Sequence, residues 1–287
     1  MAEVIAPPRR TTRRKSSTRW VFRVLAIGYL FLLVAWPVSL VAKETFADGF
    51  QSLGDAFSDP DVTSALWLTA RIALLAVLIN TVFGVGVSIL LVRYRFPGRR
   101  LLSAFVDLPL SVSPVVVGLS LMLVYGGRNG WFGPWLEDHA FQVVFAVPAM
   151  VMATSFVSLP LVIREVVPVL HEVGTDQEQA AKSLGASAPQ TFWRITLPAI
   201  KWAVVYGVVL SLARSLGEFG AVKVVSGNVA GRTQTATLVV DDKYRNFAQP
   251  EAYAMSFVLA AVSVVCIIVV SLLRPNHSGR TTSKGSA

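Results

Sequence analysis

The sequence predicts an all-α membrane domain of six crossing helices, and three observations lead there. Hydrophobic residues make up 54% of the 287 residues and mean hydropathy is +0.59, both above the range of soluble domains. Six apolar stretches reach or approach the roughly 20 residues that cross a bilayer. Basic residues gather in alternate connections, the charge pattern of a polytopic chain with a fixed orientation.

The apolar stretches lie near 21–42, 66–92, 101–127, 140–163, 201–222 and 252–273. The fifth is interrupted by Arg214 and Glu218, so its assignment rests partly on the flanking pattern. Residues 20–273 read as one membrane domain between polar tails, 1–19 and 274–287. Arg9, Arg10, Arg13, Arg14, Lys15 and Arg19 precede the first span, and Arg93, Arg95, Arg99 and Arg100 follow the second. The opposite connections are poorer: 43–65 holds Lys43 among several acids, and 128–139 holds Arg128. The amino terminus is therefore expected inside, as are the 164–200 loop and the carboxy tail with Arg274, Arg280 and Lys284. Four basic residues in 223–251 weaken the bias there without reversing it. Both tails are expected to be disordered, and the basic first tail either meets anionic lipid headgroups or serves only to set topology. The first apolar run is too long for a cleaved signal peptide and lacks a clear cleavage site.

The net charge of +9 is explained by this asymmetry, and nucleic-acid binding is not needed to account for it. Cys266 is the lone cysteine and cannot form an internal disulfide. His139, His171 and His277 fall in expected loops or the tail, so no metal or nucleophile constellation forms within the membrane. That argues against an intramembrane enzyme. No phosphate-binding Gly-x-x-x-x-Gly-Lys-Ser/Thr run occurs, and an energy-coupled role needs a partner. An ion-coupled secondary transporter would need mid-membrane carboxylates. Glu218 is the fair candidate, since Asp107 sits nearer the start of its span.

Prolines within the spans, Pro37, Pro109, Pro114, Pro148 and Pro160, each remove a backbone donor and loosen a helix. The run 108–114 combines two of them with Ser111 and Ser113, which favours a segment lining a cavity. Gly84 and Gly86 read as a packing surface within the second span. In the fifth, Arg214 and Glu218 are four apart and share a helix face, with Ser211 and Ser215 on neighbouring turns. Two readings stand: Arg214 and the serines attract an anion along a pathway, or the pair neutralises itself and pins the helix. Gly217 and Gly220 are expected to allow close helix contact.

Residues 175–198 are polar and helix-forming between apolar runs. Thr175 and Glu178 have capping-box spacing, so a helix is expected to start at Thr175 and run through Leu184. Gly185 suits a left-handed end. Ser187 and Gln190 repeat the spacing and open a second short helix, which Pro198 is expected to stop. The product is a knob that another protein can grip.

This segment resembles the signature of ABC importer permeases: Glu-Ala-Ala, three residues, Gly, nine residues, Ile-x-Leu-Pro. Here it reads Gln179-Ala180-Ala181, Gly185 and Ile195-Thr196-Leu197-Pro198, with Gln179 in place of Glu and Glu178 just before it. The run 213–228, followed by Gly231-Arg232-Thr233-Gln234-Thr235, resembles the oxyanion branch of that family, and most closely the sulfate/thiosulfate permeases of the CysW type. The resemblance covers roughly 20–273. It implies a type I, MetI-like permease that is not itself an enzyme. It also implies that Glu178, Gln179, Ala180, Ala181, Gly185, Ile195, Leu197 and Pro198 couple to an ATPase. The implied partners are a CysT-like homologous permease, two CysA-like ATPases carrying ATP and Mg, and an extracytoplasmic sulfate/thiosulfate-binding protein. No cofactor is implied on this chain. Molybdate or tungstate are alternative cargoes within the same branch.

Overall fold

The computed structural model describes residues 17–47, 49–127 and 129–273. The tails expected to be disordered lie largely outside them, as do Arg128 and His277. Among the described residues all regular secondary structure is helical. In order the chain forms α1 (Ser17–Leu30), a π segment (Phe31–Ala35), α2 (Trp36–Thr45), α3 (Gln51–Ser58), α4 (Pro60–Arg93), α5 (Arg99–Ser111), α6 (Pro114–Tyr125) and α7 (Gly133–Asp138). There follow α8 (Val147–Val173), α9 (Asp176–Ser183), α10 (Ala188–Thr191), a second π segment (Phe192–Thr196), α11 (Leu197–Leu216), α12 (Gly220–Val225), α13 (Ala236–Arg245) and α14 (Gln249–Leu273).

Local chemistry sets the helix ends. Asp59 caps α4, its carboxylate accepting from the Asp61 N–H at 2.9 Å, and Pro60 takes the first helical position, where a missing donor costs nothing. α4 ends at Arg93 because Tyr94 turns extended and Gly98 takes φ +91° ahead of α5.

α4, α8 and α11 form the core of the bundle. Gly84 lets α4 press onto Val162, where an added Cβ would sit 2.9 Å from the valine Cγ1. Gly207 of α11 approaches the same residue from another side, 2.9 Å from its Cα. Val162 is fully buried between the two glycines, as expected where small residues let membrane helices close up. Gly86 has open space around it and takes no part.

Helix directions follow from the paired residues. Ile72, Gly84 and Arg93 of α4 meet Ala149–Ala153, Val162 and Leu170 of α8 in rising order, so these two helices run parallel. The chain between them must therefore cross back. Among the described residues five helices are long and apolar enough to span, and the pair α5–α6, bent by 113°, makes six when counted as one span, the crossing that the parallel run of α4 and α8 requires. The third expected span is thus present but broken. Val112 and Ser113 are extended (ψ 135° and 133°), the conformation a following proline favours, and α6 restarts at Pro114.

Of the prolines expected within the spans, Pro114 is the one at which a span breaks. Pro109 and Pro160 lie inside continuous helices, and Pro148 sits in the first turn of α8. Pro37 and Pro198 each follow a π segment. Trp36 and Leu197, the residues just before them, donate five residues back, to Phe31 O and Phe192 O. The wider turn opens the helix where the proline ring would strike the carbonyl four back. Pro198 therefore does not stop a helix, and the segment Ala188–Leu216 is one 29-residue span that starts inside the expected loop. α8 likewise runs ten residues past the expected end at 163, and His171 lies in its last turn rather than in a loop.

Candidate functional site

The knob at 175–198 takes the expected shape by partly different bonds. Thr175 precedes α9, but its side chain caps no backbone N–H; it accepts from Gln179 Nε2 at 2.9 Å. Glu178 is not its capping partner. Gly185 takes φ +85°, and the Ala186 and Gly185 N–H groups reach back to Ala181 O and Lys182 O, each at 3.0 Å. This is a Schellman ending, which satisfies two of the last free carbonyls. α10 opens with the Ser187 N–H donating to Gln190 Oε1 at 2.9 Å. α9 buries none of its residues. Gln179, Ala180, Gly185 and Pro198 are exposed, and Ala181, Ile195 and Leu197 are half-buried. Leu184 at 89% and Trp193 at 65% exposure give the knob apolar ground for a partner.

Glu178, expected with the ATPase-facing residues, turns inward. Arg93 Nη2 meets its Oε1 at 3.1 Å, and the two side chains are 10% and 15% exposed. Thr196 Oγ1 donates to the same oxygen at 2.9 Å. Arg93 also donates to Leu170 O and Gly174 O, the otherwise free carbonyls at the end of α8. Arg93 was legible in sequence only as one basic residue of a loop.

The second region is the broken span. Ser111 and Ser113 are exposed at the gap between α5 and α6. Facing it is a second discontinuity, Gly217–Phe219, between α11 and α12. Gly220 packs against Pro114, with 3.1 Å from its would-be Cβ to the proline Cβ, and Gly118 leaves only 2.7 Å to Val224 Cβ. Gly217 itself makes no such close approach. Arg214 Nη2 lies 2.9 Å from Glu218 Oε2, a charge contact without hydrogen-bond alignment. Glu218 is 2% exposed and Arg214 is 39% exposed. Glu218 Oε1 accepts from the Ala221 N–H at 3.0 Å, and its carbonyl accepts from Thr237 Oγ1, so this acid fastens α12 and α13.

Ser211 and Ser215, expected beside Arg214 on a pathway, are buried. Ser158 Oγ is 2.8 Å from Asn80 Nδ2 and 3.2 Å from Ser215 Oγ, and Asn80 also reaches Ser211 at 3.4 Å. These hydroxyls are committed to holding α4, α8 and α11 together. Asn80 was the overlooked signal, a lone amide in an apolar span. A further overlooked pair is Asp107–Arg164, 3.0 Å apart and more than half exposed, joining α5 to α8.

At the far end, opposite the knob, the basic residues of 223–251 are largely paired. Lys223 and Arg245 hold Asp241 at 2.7 and 2.9 Å, and Lys243 bridges Asp59 and Glu251. Hydrogen bonds from Lys243 and Lys223 hold the Asp59 and Asp241 carboxyls below their ordinary range, and Glu251 foremost raises Lys243.

A knob on a six-span bundle with an inner break matches known permeases. The model of the binding-protein-dependent transport system inner membrane component family matches residues 80–282. The chain belongs to this family. It is 45% identical over 249 residues to the sulfate transport system permease protein CysW of Synechococcus elongatus, covering 87% of each chain. To the CysW protein of Escherichia coli strain K12 it is 40% identical over 277 residues, covering 96% of this chain and 94% of that one. In fold it is similar to a bacterial ABC transporter involved in alginate import, with TM-score 0.75 and 15% identity over 92% of this chain and 96% of that one. The chain is a permease component of an ABC importer and not its ATP-hydrolysing part.

Proposed function

We propose that this chain imports sulfate or thiosulfate as one of two permeases in an ATP-driven complex. The observation that carries the reading is joint: relatives named as sulfate permeases match nearly the whole chain, and the coupling signature folds into an exposed, Schellman-ended knob. A CysT-like permease would complete the pathway, two CysA-like ATPases would grip the knobs, and an extracytoplasmic binding protein would deliver the anion. ATP and Mg belong to the ATPases. The charge bias supports a cytoplasmic knob and cytoplasmic termini in the inner membrane.

Gln179, Ala180, Ala181 and Gly185 would meet the ATPase, with Ile195, Leu197 and Pro198 anchoring the knob to its span. Arg214, Ser111 and Ser113 would line the pathway. Burial of Glu218 and half-exposure of Arg214 favour this, because the pair then offers its guanidinium outward while the acid fixes α12. Ser211 and Ser215 would serve the bundle rather than the anion. The test is uptake of radiolabelled sulfate into proteoliposomes holding the complete complex and ATP. Uptake that excess thiosulfate blocks and molybdate leaves intact supports the reading; uptake blocked only by molybdate or tungstate moves the cargo to those anions.

A further inference from the structure

We propose that the Arg93–Glu178 pair is the joint through which the knob drives the membrane helices, with Arg93 a positioning residue for coupled transport. The starting point is what the knob lacks. α9 has no fully buried residue, and Glu178 and Ala181 are its half-buried ones, so apolar packing gives it little grip on the bundle. A movement imposed on α9 reaches the spans mainly through the chain itself and through polar bonds.

Those bonds converge on two side chains. Arg93, the last residue of α4, directs Nε and Nη2 at Glu178 Oε1 (3.2 and 3.1 Å), Nη1 at Leu170 O (3.0 Å) and Nη2 also at Gly174 O (2.6 Å). Glu178 Oε1 also accepts from Thr196 of the second π segment at 2.9 Å. One guanidinium and one carboxylate thus join the ends of α4 and α8, the first turn of α9, and the segment that opens the fifth span. Both are mostly buried, so the pair is poorly screened and holds its geometry. Beyond the joint, α4 and α11 are keyed to α8 through Val162, so a displacement at the joint is passed on by rigid, close-packed helices.

Only a forked donor fits this role. Arginine serves two carbonyls and a carboxylate at once, whereas an ammonium is a single point with no planar fork. The knob's outward face then remains free for the ATPase, while Glu178, next to the signature position Gln179, works inward.

The proposal rests on the reading of the knob as the ATPase dock, and one experiment separates the two. Complete importers with the wild-type chain, Arg93→Gln, Arg93→Lys or Glu178→Gln are reconstituted in proteoliposomes. Radiolabelled sulfate taken up and ATP hydrolysed are measured together, and retention of the ATPase in the complex is checked by size-exclusion chromatography. Arg93→Gln should keep the ATPase bound and hydrolysing, while sulfate moved per ATP falls about tenfold, the scale of a typical coupling energy. Arg93→Lys should recover part of that ratio, and Glu178→Gln, which keeps the Thr196 bond, should reproduce the loss if Arg93→Gln does not fold. An unchanged ratio in Glu178→Gln, or uptake and hydrolysis falling in proportion as the ATPase dissociates, overturns the joint alone. A wild-type complex without ATP-driven uptake overturns the coupling reading and the joint with it.

Discussion

Pro114 and Pro198 sit at two places where an apolar run meets a proline, and the chain does opposite things there. At Pro114 the two preceding residues go extended and the span bends by 113°. At Pro198 a π turn absorbs the ring and the helix runs on to Leu216. The surroundings decide. Pro114 lies against Gly220, where the α11–α12 discontinuity also leaves the backbone irregular. Such backbone is tolerated at membrane depth where protein or water meets it. Pro198 lies between the knob and the bundle, where Thr196 is bonded to Glu178 and Ile200 is fully buried, so an unbroken rod results. The break suits a pathway and the rod suits transmission.

Five perturbations sharpen this contrast, beginning with the largest effect. Gly118→Val puts a branched side chain where even a Cβ would be 2.7 Å from Val224 Cβ and 2.8 Å from Ala221 O. It should cost about 3 kcal/mol through overpacking, visible as a clear drop in the Tm of the purified complex. Tm within a degree of wild type would show that α6 and α12 are not held together there.

Next is the charged pair beside the break. Arg214→Gln and Glu218→Gln should each weaken assembly, by about 2 kcal/mol after allowance for the half-exposed arginine. The double variant should assemble again yet transport poorly. Full recovery of uptake would leave the pair a purely structural role.

On the rod side, Gly185→Val forces a β-branched residue to φ +85° in open space, a strain of about 1–3 kcal/mol confined to the knob. Membrane insertion should be normal while ATPase co-purification and uptake fail. Normal sulfate uptake would contradict the Schellman corner as the docking element.

Acid and base act on the far end. Asp59 and Asp241 have lowered pKa values, so their contribution is full above the ordinary 3.8 and is lost as pH falls through the lower folded values. Lys243 is raised, so its contribution is full below 10.5 and is lost as pH climbs through the higher folded value. Tm should be flat between these limits with respect to these groups, and Lys243→Gln should flatten the alkaline fall. The smallest effect belongs to Pro198→Ala, which restores a donor to a helix that already continues. It should change Tm little, by less than about 1 kcal/mol, whereas a large loss would mean the π turn is itself required.

Much of the knob was legible in the sequence because it depends on local rules, whereas the rod was not, since Pro198 was expected to stop the helix that it continues. Gly185 announces a positive φ, and Ser187 with Gln190 announces a helix start. Six apolar stretches announce six crossings, and the parallel run of α4 and α8 fits that number. What was not legible depends on residues far apart in the chain. Glu178 has capping spacing to Thr175, but a buried guanidinium 85 residues earlier outcompetes a backbone N–H for it. Ser211 and Ser215 flank an arginine in sequence, yet Asn80 and Ser158 claim them from other helices. Prolines mark where a helix can break; the contacts around Pro114 and Pro198 determine whether it does.

The proposed pathway runs past the break at Ser113, and its access is proposed to change as the rod moves. It is tested most directly by thiol labelling of Ser113→Cys in a Cys266→Ala background, within the reconstituted complex. The account predicts that a small, water-soluble reagent modifies the cysteine, and that the rate changes when ATP and vanadate trap the ATPases closed. A cysteine at 113 that stays unreactive in every nucleotide state, with the complex still importing sulfate, would place the break against lipid or protein and contradict the account.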